Sequence, residues 1–293
     1  MTVTLADLNR MDLAAFEAAV GETFELAPWV AAAAHAKRPF ATVSDLHTAM
    51  MGTVRAAPRD TQLAFLRNHP DLAGKAARAG AVTDDSKSEQ ASAGLDTLSE
   101  EEFVRFHRLN DAYKAKFGFP FMVCVRRHTR DSILTQFERR LPHDEATEFA
   151  AALQEVFYIT RLRIAAKVTG EGMPKVDGRI STHVLDTHAG RPAIGVAIEL
   201  YELAGERYHR IATAVTNADG RTDHPLIGGR PLPIGRYEVR FAVGDHFRRR
   251  GIEAGDPPFL EIVPLRFSVA EPEGRYHVPL LCTPWSYSTY RGS

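Results

Sequence analysis

Residues 168–187, VTGEGMPKVDGRISTHVLDT, change character part-way along. The first eleven, VTGEGMPKVDG (168–178), hold three glycines, a proline and several charges, the composition of an exposed linker. In ISTHVLDT (180–187) the pattern turns to period two, with Ile180 and Val184 on one face and Ser181 and His183 on the other. This stretch divides the chain into a half of helical period and a half of strand period.

Upstream, Phe103, Phe106, Asn110, Tyr113 and Phe117 recur at helix spacing, as do Leu13, Phe16, Val20 and Phe24. Pro28, Pro39, Pro58, Pro70, Pro120 and Pro142 punctuate such segments, which predicts an all-α domain of six to eight helices over residues 1–167. Downstream, AIGVAIELYEL, HRIATAVT, GRYEVRFAV, LEIVPLRFSV and RYHVPLL are short β-branched or alternating runs separated by NADG, GG and EPEG turns. That spacing predicts an all-β antiparallel sandwich over 179–293, joined to the helices by a 168–178 linker.

The formal net charge is −1, and Lys+Arg against Asp+Glu is 21 to 22 through residue 170 and 15 to 15 after it. Neither half has the basic excess that nucleic acid or an anionic membrane surface calls for. The amino terminus lacks a basic segment followed by an apolar run, and no stretch of 18 apolar residues occurs, so a soluble cytoplasmic chain is expected. Cys124 and Cys282, both in apolar strings, read as buried reduced thiols.

In the strand half, polar groups sit opposite their apolar neighbours. His277 points away from Tyr276, Val278 and Leu280, and Ser288 shares a face with Tyr290 in the ending YSTYRGS. These groups either face solvent on a half-exposed sheet or converge on a cavity, and periodicity leaves both readings open. In the helical half, His69 before Pro70 marks an element boundary. Glu89 after Ser86 fits a capping box as well as a reactive site. Arg163 lies at helix spacing from Val156 and Ile159, where a buried guanidinium needs an anionic partner, whereas Arg161 points elsewhere.

Two resemblances resolve these alternatives. ISTHVLDTHAGRPA, TNADGRT and YHVPLLCTPWSYSTYRGS resemble the motifs of 5-hydroxyisourate hydrolase, the enzyme branch of the transthyretin-like family. The resemblance implies a two-sheet sandwich that assembles as a tetramer, with no metal. It implies His183, Arg221 and His277 as the reacting trio and Ser288, Tyr290, Arg291 and Ser293 as substrate contacts. An added carboxy-terminal tail is expected to obstruct that site. HPDLAGKA, SKSEQASAGL and KFGFPFMVCVR together resemble the cofactor-free 2-oxo-4-hydroxy-4-carboxy-5-ureidoimidazoline (OHCU) decarboxylase family. That resemblance implies His69 as central acid/base and Glu89 as the orienting carboxylate. It also implies substrate contacts from Pro70, Ser86, Gln90 and Phe119, and Arg163 as anion clamp.

The two families act on consecutive intermediates of urate breakdown, 5-hydroxyisourate and OHCU, so the resemblances imply a bifunctional enzyme yielding (S)-allantoin. The alternative leaves one half catalytic and makes the other an oligomerising or ligand-binding module.

Overall fold

The computed structural model describes residues 2–73, 83–252 and 255–292. It forms two compact units, Met1–Arg126 with Ser132–Val176, and Arg127–Asp131 with Asp177–Ser293.

The first unit is helical: α1 (Leu5–Leu8), α2 (Leu13–Val20), α3 (Pro28–His35), α4 (Val43–Ala56), α5 (Arg59–Arg67), α6 (Asp84–Ser92), α7 (Glu100–Phe117), α8 (Arg130–Arg140) and α9 (Glu145–Lys167). These are nine α-helices among the described residues, more than the prolines suggest, because α1 and α2 part across residues 9–12 without a proline, Asp12 capping α2 by accepting from Ala15 N. Helix α7 shows how sequence sets an element. Ser99 and Glu102 form a capping box at its start, and Gly118 (φ 75°) ends it in the left-handed region, where a Cβ would be strained. Phe106, Tyr113 and Phe117 from this helix join Phe16, Phe65, Phe121 and Phe137 in one core.

The stretch expected to be an exposed linker is anchored at its beginning. Strand β2 (Val168–Thr169) pairs in parallel with β1 (Val3–Thr4), and Val168 is fully buried. Glu171 O and Gly172 O then accept from Val43 N (2.9 Å) and Ser44 N (3.2 Å). These are first-turn amides of α4, which have no partner within their own helix.

The second unit contains β3 (Gly178–Ser181), β4 (Val184–Asp186), β5 (Arg191–Pro192), β6 (Ala197–Ala204), β7 (Arg207–Val215), β8 (Ile227–Arg230), β9 (Gly235–Phe241), α10 (Val243–Arg249), β10 (Val263–Val269), β11 (Arg275–His277), β12 (Leu280–Cys282) and β13 (Tyr287–Ser288). The sheet orders are β10-β9-β6-β7, β11-β3-β8 and β13-β12-β4-β5. Ile180, Val184, Ile198, Leu200, Tyr237, Val239, Leu265 and Leu280 fill the core between them. Residues 127–131 were expected in the helical half but pack with this unit, where Thr129 N donates to Ile234 O at 3.0 Å.

An all-antiparallel sheet does not form. Strand β11 runs parallel to β3, setting His277 beside Ser181, and β12 runs parallel to β4. Both pairings join segments nearly a hundred residues apart, so turn chemistry could not reveal them. Cys124 and Cys282 are buried, neither in a disulfide, and burial pushes the Cys282 thiol up to about 12.

Candidate functional sites

In the helical unit, α5 ends at Arg67, and the chain closes over Asn68 to bring His69 into the interior at 8% exposure. The histidine thus lies at an element boundary, as its place before Pro70 predicts, and is buried there. Its Nδ1 faces Phe65 O at 3.1 Å, and its ring meets the Phe65 ring edge-on. A carbonyl only accepts, so Nδ1 carries the proton and Nε2 keeps its lone pair. Burial strips hydration from the imidazolium and drives the His69 pKa down to about 4, with Glu25 pulling against that fall. At neutral pH the ring is uncharged.

Helix α6 is capped by Thr83, which accepts from Ser86 N, so Ser86 is not the cap and the capping-box reading of Glu89 is corrected. Glu89 instead meets Arg163. The Arg163 Nε donates to Glu89 Oε1 and Nη2 to Glu89 Oε2, both at 2.8 Å; Nη1 donates to Glu25 Oε2 at 2.8 Å and Nη2 to Ser86 Oγ at 3.2 Å. Two carboxylates thus surround one guanidinium. Arg163 holds side chains of its own chain in place, so the structure does not offer it as an open anion clamp. Arg161 points elsewhere, as its helix phase predicts, and lies half-buried over the rings of Phe157 and Tyr158.

His69, Pro70, Ser86, Glu89, Gln90 and Arg163 line one cleft with about 370 Å³ of empty space, its open mouth included. Phe121, Met122, Val123 and Ile159 close its apolar side. Two side chains fasten the backbone of that wall: Arg140 Nη1 donates to Met122 O (2.8 Å), and Cys124 N donates to Glu155 Oε2 (2.8 Å). Gln90 accepts from Ala73 N at 2.9 Å, which pins the chain beyond His69. Phe119 is not in this cleft. It is 1% exposed, packs edge-on to Tyr113 and Phe149, and lines a neighbouring hollow with His69 and Pro70, while Phe121 lines the cleft itself.

In the second unit, the NADG turn builds the other site. Asn217 Oδ1 accepts from Asp219 N (3.0 Å) and Arg221 N (3.1 Å), and Val184 N donates to Gly220 O (2.8 Å). A Cβ on Gly220 would lie 2.4 Å from Val184 O, so only glycine lets the turn approach the strand. The outcome is a backbone bridge between His183 and Arg221.

His277 completes the trio, with its Nδ1 3.1 Å from Ser181 Oγ. Burial first, then the Arg221 charge, lowers the pKa of both His183 and His277, so both are neutral at pH 7. Nε2 of His183 is buried and makes no hydrogen bond among the described residues. Tyr290 and Arg291 line a hollow with His277, and the Arg291 guanidinium lies over the Tyr276 ring at 4.8 Å. Ser288 pairs through its backbone with Leu281 and is exposed. Ser293 lies outside the described residues.

Sequence reasoning missed two participants. Glu25 is a lone acid inside the apolar run TFELAP, a visible but weak signal. Ser181 was placed on the face of His183, but its contact to His277 depends on the parallel pairing.

The OHCU decarboxylase family matches residues 9–165, and the HIUase/Transthyretin family matches residues 180–292. The chain is 44% identical over 169 residues to the 2-oxo-4-hydroxy-4-carboxy-5-ureidoimidazoline decarboxylase of Haloferax volcanii, covering 58% of this chain and 98% of that protein. It is 55% identical over 116 residues to the 5-hydroxyisourate hydrolase 2 of Rhizobium meliloti, covering 40% of this chain and 97% of that protein. A crystal structure of (S)-allantoin synthase is similar over 99% of this chain and 100% of its own, at 34% identity and a TM-score of 0.54. The chain belongs to the OHCU decarboxylase family through its helical half and to the HIUase/Transthyretin family through its sandwich half.

Proposed function

We propose that this chain performs two consecutive steps of urate degradation: the sandwich unit hydrolyses 5-hydroxyisourate to OHCU, and the helical unit decarboxylates OHCU to (S)-allantoin. The observation that carries the reading is the gathering of two separate constellations, His69 with Glu89 and Arg163, and His183 with Arg221 and His277.

For hydrolysis, a neutral imidazole of the His183–His277 pair takes a proton from water as the oxygen attacks the ring carbonyl. Arg221 beside them stabilises the negative charge that grows on the carbonyl oxygen. Ser181, at Nδ1 of His277, orients that ring. Tyr290 and Arg291 bind substrate from the hollow next to His277.

For decarboxylation, the neutral Nε2 of His69 accepts a proton from bound substrate. The carbon–carboxylate bond breaks, CO2 leaves, and the electron pair delocalises into the substrate ring. The imidazolium then returns its proton to one face of the carbon. Glu89, held by the Arg163 fork, orients substrate against His69, with Ser86, Gln90 and Pro70 around it. Neither step calls for a cofactor or metal.

We further assign the chain to the cytoplasm and to a homotetramer built through the sandwich unit. The near-neutral charge and the membership of the transthyretin family support this, as does the fact that no helix among the described residues is long and apolar enough to cross a membrane. Hydroxyisourate made enzymatically should lose its ultraviolet absorbance faster with this protein and end as optically active allantoin. A racemic product formed at the uncatalysed rate would overturn the decarboxylase assignment, and an unchanged absorbance decay would overturn the hydrolase assignment. Light scattering reads the tetramer.

A further inference from the structure

The loop after α2 carries a group that these mechanisms do not use. Glu25 is 3% exposed, whereas Leu26, directly after it, has a left-handed backbone (φ 48°) and is 65% exposed. That reversal turns leucine outward and glutamate inward, an arrangement that a non-glycine residue adopts at some cost. The Glu25 carboxylate accepts from Thr83 Oγ1 at 2.6 Å, Arg163 Nη1 at 2.8 Å and Ser86 Oγ at 3.1 Å. Because a guanidinium is rigid and planar, fixing Nη1 also fixes the direction of the Nε–Nη2 edge that grips Glu89.

We propose that Glu25 is a positioning residue of the decarboxylation site, holding Arg163 in register with Glu89 and placing a second carboxylate charge behind His69. The charges facing His69 are Glu25 from the loop, Arg163 from α9 and Glu89 from α6, with Arg67, Asp71 and Lys114 on the side beyond Pro70. Asp71 is paired with Lys114 at 2.7 Å, and Arg163 is outnumbered by its two carboxylates. Burial opposes ionisation of Glu25, but the Thr83 hydroxyl and Arg163 outweigh it and hold its carboxyl below the ordinary range. The charge therefore persists at neutral pH and strengthens His69 as a proton acceptor against burial and Arg163.

The inference rests on the decarboxylation reading, and its test separates the two. Decarboxylation by the full chain is followed by optical rotation across pH for the wild type, Glu25→Gln and Glu25→Asp. Glu25→Gln should lower kcat by about 10-fold or more and move the acidic limb to lower pH. Glu25→Asp, which keeps the charge on a shorter arm, should leave the limb in place and lower kcat. Hydroxyisourate hydrolysis should be unchanged in both, which reports an intact chain. A limb unmoved in Glu25→Gln overturns the electrostatic part, and a wild-type kcat in Glu25→Asp overturns the positioning part even if the glutamine variant does not fold. A wild type that produces no optically active product overturns the decarboxylation reading itself, and this inference with it.

Discussion

Arg163 and Glu89, 74 positions apart in the chain, meet as a two-pronged fork, Nε to Oε1 and Nη2 to Oε2, each at 2.8 Å. Lysine carries the same charge but cannot reproduce two parallel donors. Arg163→Lys should therefore lower decarboxylation by about 100-fold, since a displaced orienting group costs about that much. It should also destabilise the helical unit by about 1–3 kcal/mol through a carboxylate left short of a partner. Paired measurements of kcat and urea midpoint check both, with hydroxyisourate hydrolysis unaffected.

The acid behaviour of the helical unit follows from two buried histidines. His47, bonded to Thr160 Oγ1 at 2.9 Å, and His69 are both driven to about 4, burial being the main cause in each. Their folded pKa values lie below the unfolded value near 6.5, so the unfolded chain binds more protons between those limits. Stability is full above about pH 6.5 and falls as pH drops toward 4, by on the order of 3 kcal/mol per histidine. Urea midpoints followed by helical circular dichroism should show this fall, and His69→Ala should remove its share of the slope. That variant should also abolish stereoselective decarboxylation while leaving hydrolysis intact.

The hydrolytic step should keep its activity below the ordinary histidine range, because His183 and His277 both resist protonation beside Arg221. Arg221→Gln removes a charge that lowers both, so the acidic limb of kcat/KM should move to higher pH while the plateau falls by about 100-fold. Ser181→Ala should cost about 10-fold by freeing the His277 ring and should not move the limb. Stopped-flow absorbance of hydroxyisourate across pH measures each case, and His277→Ala should slow hydrolysis without affecting decarboxylation.

Gly292 touches the second site through its lack of a side chain. Its N donates to His277 O at 2.9 Å, and a Cβ would stand 2.7 Å from His277 Cδ2. Gly292→Ala should push the imidazole aside and reduce hydrolysis by about 10- to 100-fold at unchanged decarboxylation. A full rate would mean that the ring adjusts freely.

Much of this was legible in the sequence because local rules act on neighbouring residues. Helix spacing located Phe106, Tyr113 and Phe117 in the core, and period two put His277 opposite Tyr276. The NADG turn was legible as a turn, and its Asn217 side chain holds Arg221 N, although Arg221 itself was named only through the family resemblance. The features that stayed hidden depend on distant pairings. Glu25 reaches Arg163 across 138 residues, Ser181 reaches His277 across 96, and Thr83 rather than Ser86 caps α6 because tertiary contacts decide where that helix begins. The run FGFPF shows the same limit: an apolar run names its residues as buried without saying that Phe121 borders the cleft and Phe119 the neighbouring hollow beside His69.

The parallel pairing of Val3 with Val168 brings the first and last segments of the helical unit side by side. Apart from residues 127–131, which belong to the sandwich unit, the helical unit is thus closed between its own two ends. The Haloferax volcanii relative, of which 98% aligns with only 58% of this chain, has the length expected of such a unit standing alone. Joining new chain after β2, or permuting the unit by linking its two ends, should therefore leave its core as it is.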